Sequence, residues 1–357
     1  MSTEKITCLL NWHATPYHLP LFLADKLGYF QEEGIQVAIM EPNNPSDVTE
    51  IIGSGKADLG CKAMIHTIAG KSRGYDIQSI GTLLDEPFTG VIYLKHQNKI
   101  DGSFESLKGK RIGYVGEFGK IQVDDLARQY GMNPDTDYQA IRVGMNVSKA
   151  LMDGEIDCGI GLENVQMVEL EEWSVQHGRS PDDVQMLRID ELADLGCCCF
   201  CSILMIGNDK FIHENPEKVK KFMKAVKRGA DYMFANPSQA YEVFVDMKPW
   251  MNSIVNRKIY QRSFRYMSRD LKNVDRDWNK VTKYCQRLNI VDASFKQNQT
   301  NDFLTWDLLP ESAPGFIYPT IDTGVLKQFD EKEQEKEFCR TSACCQQQQQ
   351  LHQVASA

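Results

Sequence analysis

The sequence predicts an α/β fold built from two related lobes, and two observations carry that prediction. Short apolar runs suited to buried strands alternate with amphipathic helical stretches near the start of the chain, the pattern of a largely parallel sheet. One motif also occurs twice. Gly55-Lys56-Ala57-Asp58-Leu59-Gly60 returns about a hundred residues later as Gly154-Glu155-Ile156-Asp157-Cys158-Gly159. In each copy a helical stretch precedes the first glycine and a short strand carries the Asp-x-Gly, so one α/β unit is used twice.

Taken in order, Lys5 to Leu10 reads as the first strand. Pro20 to Phe30 has the apolar spacing of a helix and is closed by Glu33-Gly34. Gln36 to Met40 is a second strand, and Asp47 to Ile52 opens the helix of the first motif copy. Phe88 to Lys95 and Cys201 to Ile206 are apolar runs able to cross between lobes, the second ended by Gly207 and Asn208. In Pro216 to Ala235, Val219, Phe222, Met223, Val226, Ala230 and Met233 recur at helical spacing. Helices dominate from there to about Leu288. Glu331 to Glu337 is a charge run and Gln346 to Gln350 a glutamine tract, so the end of the chain is expected to be a disordered tail.

At 357 residues there is room for two domains of ordinary size. A net charge of −9 disfavours a nucleic-acid or membrane-surface role. No apolar segment approaches the ~20 residues of a membrane helix, and Met1 to Thr7 lacks the basic-then-apolar pattern of a secretory signal. A cytoplasmic location is therefore expected, where the eleven cysteines stay mostly reduced.

Four constellations could carry chemistry. Cys197, Cys198, Cys199 and Cys201, interrupted by Phe200, place four thiols in five positions. No Cys-x-x-Cys pair repeats downstream, which argues against a zinc ribbon. If the run continues the strand that follows it, Cys197, Cys199 and Cys201 share one face and at most three thiols converge; the alternative is small buried hydrophobes. Arg111 to Lys120, running on to Tyr130, reads as strand, glycine-bearing turn and helix, either a plain turn or an anion site at a helix N-terminus. Lys62 and His66, four apart, would share a helical face. They are either a solvated surface or a reactive amine beside a proton carrier or metal ligand. Asn11-Trp12, with Tyr17 and His18, follows the first strand and offers a ring to stack on a planar ligand or to close the core.

Together these segments resemble the fungal thiamine-pyrimidine synthase family. The resemblance is carried by Asn11-Trp12 with Pro16-Tyr17-His18, Asn44 to Glu50, Lys62 to Thr67, Leu84 to Gly90, Gly113 to Lys120 and Gly196 to Cys201, and it spans residues 2 to about 310. It implies a two-lobed fold of the type II periplasmic-binding-protein kind, with the active site in the interlobe cleft and a homodimer as the assembly. It implies that lobe I comprises residues 1–92 and 205–325, lobe II residues 93–204, and the tail residues 326–357. The implied activity is synthesis of 4-amino-5-hydroxymethyl-2-methylpyrimidine phosphate by a transferase-type enzyme that turns over once. Lys62 matches the lysine that holds pyridoxal 5′-phosphate as an imine. His66 matches the histidine whose own atoms enter the product. Gly116, Glu117, Phe118 and Gly119 match the loop that holds the phosphate, with Asn11 and Trp12 beside the cofactor. Cys197, Cys198, Cys199 and Cys201 match an iron motif used with oxygen, and His66 is a further candidate ligand. The competing expectations are a non-catalytic cytoplasmic binding protein for a pyrimidine or another phosphorylated small molecule, and an ordinary multiple-turnover pyridoxal enzyme, in which His66 would survive the reaction.

Overall fold

Ile6 and Cys8 are buried in a strand whose first two residues are exposed, while Ile35 and Val37 alternate with exposed Gln36 and Ala38 in the next strand. That period of two is what lays both strands on a core with one face outward. The computed structural model describes residues 4–85, 87–189 and 201–309. The strands are β1 Glu4–Leu9, β2 Ile35–Met40, β3 Leu59–Ala63, β4 Ile77–Leu84, β5 Thr89–Leu94, β6 Arg111–Tyr114, β7 Gln139–Arg142, β8 Cys158–Leu162, β9 Val184–Arg188 and β10 Ile203–Asn208. The helices are α1 Leu19–Lys26, α2 Tyr29–Glu32, α3 Val48–Gly53, α4 Met64–Ser72, α5 Glu117–Gln129, α6 Val147–Met152, α7 Val168–Gln176, α8 Asp209–Glu214, α9 Pro216–Ala235, α10 Pro237–Met247, α11 Ile254–Ser263 and α12 Asp275–Arg287.

Among the described residues the strands form two five-stranded sheets, ordered β2-β1-β3-β10-β4 and β7-β6-β8-β5-β9. Each sheet has the same plan. β1 runs parallel to β2 and β3, as β6 does to β7 and β8. β10 is antiparallel to both its neighbours in the first sheet, and β5 to both of its neighbours in the second. The architecture is thus two α/β lobes, the chain crossing between β4 and β5 and again between β9 and β10. The crossings leave β5 whole in the second sheet and β10 whole in the first, so the expected boundaries at 92/93 and 204/205 cut through strands. Residues 190–200, which include Cys197, Cys198 and Cys199, and residues 310–357, which include the expected tail, lie outside the described residues.

The repeated motif occupies equivalent places in the two sheets. Asp58, just before β3, accepts hydrogen bonds from the Thr7 backbone N–H at 2.8 Å and the Thr7 hydroxyl at 2.7 Å. Asp157, just before β8, accepts from the Arg111 N–H at 2.8 Å and from its guanidinium. Asp58 therefore fastens β3 to β1, and Asp157 fastens β8 to β6. Leu9 pairs with Gly60 as Gly113 pairs with Gly159.

The helix expected over Pro20 to Phe30 is two helices. Gly28 adopts φ 78°, the left-handed conformation that ends a helix, so α1 stops at Lys26 and α2 starts at Tyr29. Against α1 packs α9, whose buried face includes Val219, Phe222, Met223, Val226, Ala230 and Met233. The two backbones meet at Gly229, where a Cβ would stand 2.2 Å from the Pro20 carbonyl oxygen. Gly229→Ala gains roughly 1 kcal/mol of helix propensity but must part the helices. We expect a net loss of about 1–2 kcal/mol, read as a lower denaturant midpoint; an unchanged midpoint would show that the helices separate freely. Among the described residues no helix is long and apolar enough to cross a membrane.

Candidate active site

The loops that leave the carboxyl ends of β1, β3 and β6 converge, as ligand-binding loops do in open α/β sheets. They line a cavity of about 170 Å³ walled by both lobes, more than ten times the space one water needs. Asn11, Trp12 and Tyr17 enter it after β1, Lys62 and His66 from β3 and α4, and Gly116, Phe118 and Gly119 from the turn into α5. Ile160 of β8, Cys201 and Ile203 complete the walls.

Lys62 does not stand on a helix. It is the fourth residue of β3, and His66 is the third of α4, so the helical face expected for the pair is replaced by a strand-to-helix turn. The turn at Ala63, extended at φ −66° and ψ 146°, still leaves both side chains on the cavity. Lys62 is only 3% exposed, and its Nζ donates to the Pro45 carbonyl. Burial pushes the Lys62 ammonium down to about 8, with Asp47 opposing weakly. A substantial neutral amine fraction is therefore present near neutral pH, as a carbonyl-capturing lysine requires.

His66 is partly exposed, and it stands between this cavity and a second polar one of about 120 Å³ that Thr49, Glu50, Arg73 and Glu117 help to line. Burial, then the positive charges of Lys62 and Arg73, hold its imidazole well below the usual histidine range, so it is neutral. Phe118, from the opposite lobe, meets the ring edge-on with centroids 4.6 Å apart.

Gly116 caps α5, a helix of 13 residues, in an extended conformation that any residue adopts. A Cβ at Gly116 would stand 3.6 Å from Ser46 Oγ on the facing wall. Glycine there keeps the gap open beside N–H groups that a helix start leaves free, which suits an anion. Glu117, expected in the same set, is not on this cavity. Arg73 holds its carboxylate by two bonds of 2.9 and 2.6 Å across the lobes, turned to the second cavity, and so removes a negative charge from the anion's place.

Cys201 lies in a turn ahead of β10, not in the strand as expected, because pairing begins at Ile203. Burial pushes its thiol up to about 11. Among the described residues no three His, Cys, Asp or Glu side chains come together to hold a metal ion. Of the expected iron motif only Cys201 is described; Cys197, Cys198 and Cys199 lie outside the described residues.

The residue patterns did not single out Gln122. It is 3% exposed on the cavity wall, one turn beyond Phe118 and Gly119, and its amide has no hydrogen-bond partner among the described residues. The helical spacing 118, 119, 122 was the available signal. Ser46 and Arg73 were missed for another reason: nothing local places them opposite α5.

A family model described as NMT1/THI5 like matches residues 15–240. The chain is 65% identical over 312 residues to the 4-amino-5-hydroxymethyl-2-methylpyrimidine phosphate synthase of Aspergillus parasiticus, covering 87% of this chain and 91% of that protein. It is 57% identical over 306 residues to the THI13 synthase of Saccharomyces cerevisiae, covering 86% and 89%. Among solved structures it resembles a Candida albicans protein described as having the generic periplasmic binding protein fold, with TM-score 0.63, 14% identity and coverage of 86% and 99%. It also resembles the periplasmic aliphatic sulphonate binding protein SsuA of Escherichia coli, with TM-score 0.60, 13% identity and coverage of 81% and 92%.

Proposed function

The chain belongs to the NMT1/THI5-like family, and from that premise we propose that it synthesises 4-amino-5-hydroxymethyl-2-methylpyrimidine phosphate for thiamine biosynthesis. In this reading pyridoxal 5′-phosphate is bound through Lys62 and consumed, His66 is the second substrate, iron and oxygen are required, and each chain turns over once. The reading extends to a cytoplasmic homodimer. The observation that carries it is one cavity holding a buried lysine of lowered basicity and a neutral histidine, opposite an open glycine turn at a helix N-terminus.

The residues present fit pyridoxal phosphate. Lys62 would hold its aldehyde carbon, the N–H groups after Gly116 its phosphate, and Trp12, which lines the same cavity, would flank its ring. Pyridoxal phosphate supplies carbon and phosphate to the product, and iron with oxygen supplies the oxidising power that side chains lack. The chain's own part is placement. The turn between β3 and α4 sets His66 on the same wall as Lys62, which replaces an encounter between two molecules by a fixed arrangement. Desolvation keeps the imidazole uncharged, and the apolar walls of Ile160, Ile203 and Phe118 limit water.

A binding protein is the reading favoured by the sulphonate-binding likeness alone. Mass spectrometry of the peptide carrying Lys62 and His66 separates the two. After incubation with pyridoxal phosphate, ferrous iron and oxygen, we expect that peptide to lose the mass of imidazole atoms in step with pyrimidine release. An intact His66 beside released pyrimidine would sink the single-turnover reading. Full iron-dependent activity in Cys199→Ala would count against a metal role for the cysteine run.

A further inference from the structure

Gln122 on α5 and Gln166 just after β8 both line the cavity that holds Lys62 and His66, and each brings an amide whose hydrogen bonding is incomplete. Other polar side chains of these walls are committed. Asn11 bridges His18 and Tyr17, the Thr15 hydroxyl donates to the His13 carbonyl at 2.8 Å, and the Thr89 hydroxyl donates to the Pro87 carbonyl at 3.1 Å. Gln122 is 3% exposed, and neither end of its amide has a hydrogen-bond partner among the described residues. An amide enclosed in this way carries a desolvation cost that a ligand with complementary atoms would remove.

Gln166 belongs to the single π-turn Glu163–Met167 that follows β8. Its Oε1 accepts from the Leu162 backbone N–H at 2.8 Å, as the glutamine of a capping box reaches back to the start of its helix. A backbone N–H can only donate, so the amide oxygen is the end held by the chain and the NH₂ group is the end left over. That NH₂ group has no acceptor among the described residues, and it can only donate. The second lobe thus presents two amides to the cavity, one uncommitted at both ends and one of fixed polarity.

We infer that Gln122 and Gln166 are specificity-determining residues that hydrogen-bond the ring heteroatoms of the ligand, Gln166 as a donor and Gln122 through either end of its amide. The assignment to the ring follows from what the other groups already serve. The start of α5 after Gly116 suits the phosphate, and Lys62 takes the aldehyde. The ring nitrogen and the ring hydroxyl are what remain for a neutral amide, in a cavity otherwise walled by apolar groups such as Phe118, Ile160 and Val165. That the ligand is pyridoxal phosphate rests on the proposed function; the uncommitted amide groups do not.

The probe is 4′-deoxypyridoxine 5′-phosphate, which carries a methyl group in place of the aldehyde. It cannot bond covalently to Lys62, so its fluorescence titration reads ring and phosphate contacts alone. Gln122→Met and Gln166→Met remove the amide and keep the length of the side chain. Each should weaken the analogue about 10-fold, while inorganic phosphate competes with an unchanged inhibition constant. Gln122→Met should also keep or raise the unfolding midpoint of the ligand-free protein, because it removes a buried amide without a partner. Gln166→Met loses the bond to Leu162 as well, so Gln166→Glu separates the two roles. The glutamate keeps an oxygen for the Leu162 N–H, and with it the midpoint, but turns the donor into an acceptor; it should bind the analogue no better than Gln166→Met. Wild-type affinity in either methionine variant, a loss shared by inorganic phosphate, a midpoint lowered by Gln122→Met, or binding recovered in Gln166→Glu would each overturn the assignment. A wild type that binds neither the analogue nor pyridoxal phosphate would instead overturn the proposed function.

Discussion

His66→Gly is expected to bind pyridoxal phosphate covalently at Lys62 and to release no pyrimidine at all. The size of the effect follows from stoichiometry. A general acid or base that is removed leaves residual turnover, because water or a neighbour takes part of its role; a donor of atoms that is removed leaves nothing to transfer. The substitution leaves Lys62 in place on β3. It costs roughly 1 kcal/mol of helix propensity at the third position of α4, which leaves the fold intact. Removing the ring also merges the two cavities on either side of it, so ligand entry is not obstructed. Borohydride trapping followed by peptide mass spectrometry reads the Lys62 adduct, and chromatography reads the product. Product formation by the glycine variant, even at a few per cent, would mean that His66 acts in proton transfer or ligation.

Lys62→Arg is expected to abolish covalent capture while leaving the fold and the charge of the cavity wall intact. An arginine does not deprotonate in a protein, so it cannot offer the neutral nitrogen that attacks an aldehyde. The wild-type pH profile follows from the same physics. With the Lys62 ammonium lowered to about 8, the neutral fraction falls about tenfold per pH unit below that value and levels off above it. Single-turnover capture should therefore rise from pH 6 to pH 8 and then flatten, whereas an ordinary lysine would still be rising at pH 9. Stopped-flow absorbance of the bound chromophore measures this. A profile still climbing at pH 10 would show that Lys62 is not desolvated in solution. Residual capture by the arginine variant would move the attachment to another lysine.

Much of the molecule was legible in local pattern. The Gly55 and Gly154 motifs marked equivalent units because each Asp ties its strand to a parallel neighbour, β3 to β1 and β8 to β6, a need that recurs with the fold. The α9 helix was readable to the residue, since Pro216 and Ala235 bound a regular apolar face. Lys62 and His66 were found together because a separation of four is the spacing of one helical face. The same fact hid which conformation it was, and the helical face gave way to a strand and a turn. For Glu117 the tertiary structure decided the side chain alone, since its backbone N–H stays at the start of α5. Its neighbours face the cavity, but Arg73, on the other lobe, draws its carboxylate out.

By itself the sequence determined the class of the fold, the duplicated unit and the residue types able to do the chemistry, because periodicity, turn residues and functional groups are properties of short stretches. Only the tertiary structure decided what they mean together. That Gly116, Phe118 and Cys201 share a cavity with Lys62 and His66 depends on two chain crossings between sheets. The weakened basicity of Lys62 comes from burial, which belongs to the packing around a residue and not to the residue. Each of these is a relation between segments, set by desolvation and close contact once the lobes have folded against one another.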